Sequence, residues 1–382
     1  MKRFAVTSLM IGNIVTGVSV LAPAGMLPQL ADGLDVTIRD AGLLITFGAI
    51  VLCIASPATA WLTSRFDRRP LLAGAMLFTS LTHVASALAP DYRTLLGLRL
   101  VMLAVVALFT PQAASLASVM VPPERRGSTM TYVFLGWSLA AAAGLPTVTY
   151  VASHLGWRMA YAAIALIAFI AFVLTAWRLP RGIAGVRVDL KTWGALGGNP
   201  LVLMLLLITT MQMGSQFIIF TFMGPLVQHQ VGAGPEAVAL LFAIYGVMGF
   251  IGNVLASRVV DTWGAWKTSL TFSFSILIGI AGWALGSGAL MAMIVAMLFW
   301  GFGFAAANSM QQVRLMAAAP TLASASVSLN TSVLYIGQGL GSALGAMFYA
   351  REAFDAMNIA GAVAIAFTVL LIVLTRPRSG IN

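Results

Sequence analysis

Residues Trp61–Leu72 read WLTSRFDRRPLL, and the fold turns on how that charged knot is explained. Arg65, Asp67, Arg68 and Arg69 crowd into a few positions, with long apolar stretches on both sides. Working outward, the chain is 60% hydrophobic and only 8% charged, with a mean hydropathy of +0.96. Soluble domains carry roughly 25% charged residues. A water-soluble fold of 382 residues has no way to hide so much apolar surface, so the chain belongs in lipid. In lipid every backbone polar group needs an internal partner, which leaves helices or a closed barrel. Strand-like alternation is missing, and the apolar runs reach ~20 residues, the helical length that crosses ~30 Å of hydrocarbon. The expected fold class is therefore an all-α membrane protein, and the knot is the hinge between two of its helices.

Twelve apolar spans are expected, at 6–29, 41–62, 71–90, 94–119, 128–152, 157–177, 201–227, 236–256, 268–288, 290–313, 325–349 and 355–375. With the N-terminus inside, sixteen of the 21 lysines and arginines fall on inner segments and four on outer loops, with Arg99 inside the fourth span. Positive residues stay on the inner side, so both termini are expected in the cytoplasm. The longest connection, RLPRGIAGVRVDLKTWGALGGNP, divides six spans from six. This gives an N-terminal bundle at 1–177, a cytoplasmic linker at 178–200 and a C-terminal bundle at 201–382. The net charge of +10 reflects these inner loops; no basic segment is longer than a loop, and nucleic acid is not an expected partner. Cys53 is the only cysteine, so neither an intrachain disulfide nor a Cys/His metal cluster is expected. No Walker-type loop is present to bind ATP, and no cofactor is implied. Lys2, Arg3 and the following apolar run also look like a secretory signal, but the run is long enough to span and serves as the first helix.

The two halves echo each other. RFDRR (65–69) follows span two, and SRVVDTWGAWK (257–267) follows span eight, the matching place. Gly136, Gly144 and Pro146 mark span five; Gly337, Gly341 and Gly345 mark span eleven. Six-plus-six repeats are a transporter signature. Four stretches carry a more particular likeness: GMLPQLADGLDVTIRDAGLLITFGAI (25–50), LTSRFDRRPLL (62–72), GLPTVTYVASHLGWRMAY (144–161) and QQVRLMAAAPTLASASVSLNTSVLYIGQGLGSALGA (311–346). In order and spacing they make the whole chain resemble the major facilitator superfamily, nearest its bacterial twelve-helix drug:proton antiporters and sugar-efflux-like members.

That resemblance implies two pseudo-symmetric six-helix bundles, a monomer in the inner membrane, and a small-molecule substrate with protons as coupling partner. The family's loop motif runs Gly-x-Leu-Ala-Asp-Arg-x-Gly-Arg-Arg and latches the inner gate. Arg65, Arg68 and Arg69 match it; Ser64 stands at its acid and Asp67 at its second Gly. In the second half Asp261 and Gly264 match. The positive-inside effect alone also places the arginines. Gly144 and Pro146 resemble the antiporter motif of helix five, whose trailing glycines are here Thr147, Val148 and Thr149.

Buried polar side chains in lipid face a bundle interior or a water-filled path. Asn13, Gln112, Gln212, Gln216, Asn308, Asn330 and Gln338 lie in spans that line or flank the cavity of the resembling fold, and form the expected substrate lining. Plain interhelical hydrogen bonding is the competing reading. Arg99 either serves an anionic group or proton site or snorkels to the interface. His83 either titrates or packs as a neutral ring in a peripheral span. All eleven acids lie in loops or at span ends, and where many relatives carry an acid in helix one this chain reads Ser19-Val20-Leu21. Proton coupling is thus implied by the family alone, with Arg99, Asp40, Glu236 and His83 as its candidates. The expected function is proton-coupled efflux of a neutral polar or amphipathic solute. A gradient-independent facilitator or importer is the alternative, ahead of a non-transporting sensor or a membrane enzyme.

Overall fold

The computed structural model describes residues 2–63, 66–122, 126–183, 198–319 and 323–376. Arg65 and most of the expected linker lie outside the described residues. The chain divides into two compact units, Met1–Val188 and Asp189–Asn382.

Unit one runs α1 Lys2–Gly25, α2 Leu27–Gly33, α3 Ile38–Leu62, α4 Arg68–Ala87, α5 Tyr92–Val106, α6 Phe109–Val119, α7 Arg126–Leu139, a π turn at Ala140–Gly144, α8 Leu145–Leu155 and α9 Trp157–Arg178. The hydrophilic residues between spans start these helices. Thr37, Asp67 and Asp91 accept bonds from the main-chain N–H groups of Asp40, Arg69 and Thr94, satisfying donors that a helix start leaves open. The fourth span breaks into α5 and α6 through a turn at Ala107–Leu108. The fifth span widens into the π turn just ahead of Pro146. Proline has no N–H for the ladder and its ring crowds the carbonyl four residues back, so the helix opens by one residue there.

Unit two runs α10 Pro200–Phe220, α11 Met223–Val231, α12 Pro235–Leu285, α13 Leu290–Ala318, α14 Ala323–Ala350 and α15 Phe354–Leu374. Here the structure corrects one expectation. The segment 257–267, expected as a loop between spans eight and nine, is helical nearly throughout, and α12 has 51 residues. A straight helix of that length would run about 76 Å, more than twice the hydrocarbon thickness. It folds back instead at Gly264, whose φ of 76° and ψ of 154° are not helical and suit glycine alone. The described residues hold 11 helices long and apolar enough to cross a membrane, and α12 crosses twice. That gives the twelve crossings expected.

The two units repeat one packing scheme. In unit one α1 lies against the α7–π–α8 span and α4 against α9. In unit two α10 lies against α14, and α12 against α15. Glycines set the close crossings. A Cβ on Gly136 would overlap Met10 O, and one on Gly144 would overlap the Val18 side chain. In the second unit Gly337, Gly341 and Gly345 approach the carbonyls of Thr210, Gly214 and Ile218 equally closely. Small residues let helix backbones meet where lipid gives no hydrophobic drive to pair them.

Candidate functional site

Arg99 is buried, with 3% of its surface exposed, and does not snorkel. Its Nε donates to Leu44 O at 2.9 Å, Nη1 to Ser19 O at 3.1 Å and Nη2 to Val20 O at 2.9 Å. The target on α1 has a cause in the sequence. Pro23 lies within α1, four residues after Ser19, and has no N–H to give to Ser19 O. The guanidinium supplies that missing donor and ties α1, α3 and α5 together. Gly48 makes room, since a Cβ there would press on Leu103 and reach to 3.5 Å from Arg99 Nε.

The same serine links to the histidine. Ser19 Oγ is 2.8 Å from His83 Nε2, and His83 is fully buried. His83 stacks on Tyr161 of α9 with ring centroids 5.6 Å apart. His83 Nδ1 and the Tyr161 hydroxyl are buried without hydrogen-bond partners. The imidazole of the third span therefore faces α1, α5 and α9 inside the bundle rather than its periphery. Asp40 and Glu236, the other coupling candidates, sit in the first turns of α3 and α12, at span ends. Thr37 Oγ1 donates to Asp40 Oδ2 at 2.7 Å, and the Tyr92 hydroxyl to Asp40 O at 2.6 Å.

The expected lining amides are buried or half-buried, and several are engaged with neighbouring helices. Asn13 Nδ2 donates to Val133 O at 2.9 Å, and its Oδ1 accepts from Thr110, which in turn accepts from Trp137. Gln112 donates to Thr63 Oγ1 at 3.3 Å. In unit two Gln216 Nε2 donates to Gln212 O at 2.9 Å, and Gln216 Oε1 accepts from Trp300 Nε1 at 2.8 Å. Gln212 Oε1 accepts from Ser273 at 3.4 Å. Asn330 Oδ1 accepts from Thr209 at 2.7 Å, while Asn330 Nδ2 and Asn308 Oδ1 are buried with no partner. Gln338 is buried on α14. The unpartnered Asn308 and Asn330 atoms stand out, because buried polar atoms are nearly always paired with protein or water.

At the other end of unit one the opening motif works as a clasp. Asp67 Oδ1 accepts from Arg69 N at 3.0 Å and Oδ2 from Gly182 N at 2.7 Å, while Arg68 N donates to Ile183 O at 3.0 Å. The start of α4 is thereby fastened to the segment just past α9. These main-chain donors, Gly182 first and then Arg69, hold the Asp67 carboxyl below its ordinary range, with Arg69 and Arg181 adding to the effect. In unit two the counterpart is Trp266, whose Nε1 donates to Ile372 O at 2.8 Å at the end of α15. Arg314 donates to Thr375 Oγ1 at 2.6 Å at the same helix end. Asp261 is exposed three residues before the Gly264 bend. Sequence reasoning missed Ser19 as the hub, along with Tyr161, Thr110, Trp137 and Trp300. The one available signal was Pro23, four residues after Ser19.

The two bundles share one packing scheme, and each buries amide side chains inside its spans. The model of the Major Facilitator Superfamily matches residues 9–346. The chain belongs to that superfamily. It is 31% identical over 377 residues to the Inner membrane transport protein YdhP of Escherichia coli strain K12, covering 98% of this chain and 96% of that one. It is 25% identical to a Probable sugar efflux transporter of Mannheimia succiniciproducens, covering 98% and 94%. The solved D-xylose-proton symporter matches with a TM-score of 0.76, covering 95% of this chain and 96% of that one; at 16% identity the likeness is one of fold alone. The protein is a multi-pass membrane transporter of small solutes, as the sequence led us to expect.

Proposed function

We propose that this transporter exports a small neutral polar or amphipathic solute from the cytoplasm in exchange for protons, by alternating access, as a monomer with both termini inside. The observation that carries the solute class is the set of amides inside the spans of each unit. Asn13, Gln112, Gln212, Gln216, Asn308, Asn330 and Gln338 furnish amides, and among the described residues every acid sits near a helix end, in a loop or, for Asp261, beside the Gly264 bend between two crossings. A permanent cation wants a carboxylate partner; amides suit hydroxyls and carbonyls. A relative named as a probable sugar efflux transporter supports the same class and direction. Arg65, Arg68, Arg69 and Asp67 in the first half, and Asp261 and Gly264 in the second, would form the inner gate, with Gly144 and Pro146 at the bend of span five.

The test is counterflow in proteoliposomes against a panel of labelled arabinose, isopropyl thiogalactoside, adenosine and ethidium, with and without an imposed pH gradient. Exchange of the sugars or adenosine but not ethidium, accelerated by the gradient, supports the reading. Exchange indifferent to the gradient moves the assignment to a facilitator, the reading that the lack of a mid-span carboxylate favours.

A further inference from the structure

We infer that His83 carries the coupling proton, and that its protonation and the grip of Arg99 on α1 exclude one another. The inference rests on the proton-driven reading above and gives it a site.

Three observations converge. First, His83 is an ionisable ring with no exposed surface, whereas His154 and His229 lie exposed at helix ends. Second, the ring has an open acceptor position. Nε2 is engaged with Ser19 Oγ at 2.8 Å, but Nδ1 has no partner, and neither has the hydroxyl of the stacked Tyr161. A proton can settle on Nδ1 while Nε2–H donates to Ser19 Oγ, with no other bond made or broken at the ring. Third, Ser19 is shared. Its hydroxyl serves His83 and its carbonyl takes Arg99 Nη1 at 3.1 Å.

The groups facing His83 can be named element by element. From α5 comes Arg99, from α9 Tyr161 and from α1 Ser19, while α6, which also packs on α4, carries no titratable side chain. Arg99 is thus the charged group of this centre, and it is a cation. An imidazolium and a guanidinium in one water-poor centre repel strongly, because little solvent screens them. Protonation of His83 therefore requires Arg99 to leave. One of the three carbonyls that seat Arg99, Ser19 O, is the one Pro23 leaves without a helical donor, so the departure of Arg99 lets α1 rearrange at that proline. Proton binding and the rearrangement of α1 become two ends of one equilibrium, which is what coupling requires.

The test uses full-length protein in proteoliposomes and the fastest-exchanging member of the panel above. Two rates are read: exchange at equal pH, and uphill accumulation under a pH gradient. Wild type must first show uphill accumulation; if it exchanges without responding to the gradient, the proton-coupled reading itself has failed. In His83→Gln the ratio of uphill accumulation to exchange is expected to collapse to that of a gradient-blind carrier. An unchanged ratio overturns the proposal. Should His83→Gln show no flux of any kind, nitrogen-15 NMR of histidine-labelled protein in nanodiscs decides, with His154→Asn and His229→Asn removing the other signals. An imidazolium signal that emerges at higher pH in Arg99→Gln than in the parent upholds the exclusion; the same onset in both, or no imidazolium in the parent at any pH that leaves it folded, overturns the proposal.

Discussion

Arg99 does for Ser19 O what the residue at position 23 cannot do as a proline. Replacing Arg99 by Met leaves that carbonyl unpaired in a dry bundle, at a cost of about 1–3 kcal/mol. Pro23→Ala restores a local donor and makes Arg99→Met cheaper. A double-mutant cycle on unfolding free energy in bicelles should give a coupling of at least about 0.5 kcal/mol. Additive changes would mean that Arg99 is not filling the proline gap. Asp67 offers a second residue-scale test. Its carboxyl is held below the ordinary value of 3.8 by the N–H groups of Gly182 and Arg69. A lowered folded pKa means the ionised form is the bound one, so the stabilisation is present above that ordinary value and is lost as pH falls below it. Wild type should lose stability on acidification in that window more than Asp67→Asn does; parallel acid limbs in a thermal-shift series would refute it. The effect is small, because the carboxylate is solvated.

At the scale of elements, glycines with different causes should respond differently. Gly264 has open space around it but a positive φ, so Gly264→Ala meets conformational strain and not a clash, costing about 1–3 kcal/mol. Gly341 is the reverse case. An alanine Cβ there would overlap the Gly214 carbonyl, forcing α10 and α14 apart at a similar cost of about 1–3 kcal/mol. Gly74, helical with nothing within 4 Å, is the control, and Gly74→Ala should gain about 0.4–1 kcal/mol. Unfolding measurements on the three variants check the ranking. The positions of the spans were legible because apolar length is a one-dimensional signal. The joining of spans eight and nine was not, because SRVVDTW reads as polar punctuation while its backbone stays helical as far as Gly264.

For the whole molecule, the proposed topology puts sixteen of 21 basic residues on one side of the membrane. A fluorescent protein fused after Asn382 should be bright, and alkaline phosphatase inserted after Asp35 should be active; the opposite pair would invert the topology and with it the direction assigned to transport. The sequence by itself determined that this chain is a twelve-crossing helical membrane protein of two repeated halves. Hydrocarbon thickness, backbone satisfaction and loop charge each act on composition and spacing, and these can be read along a line. Only the tertiary structure decided what the polar residues inside the spans touch. Ser19, His83, Arg99 and Tyr161 are scattered over four helices, and Gln216 and Trp300 lie 84 positions apart. Which of them meet depends on how each helix is rotated in its bundle. That rotation is set by close glycine crossings and by bonds such as that of Arg99 to Ser19 O, through contacts between helices that no single stretch of sequence contains.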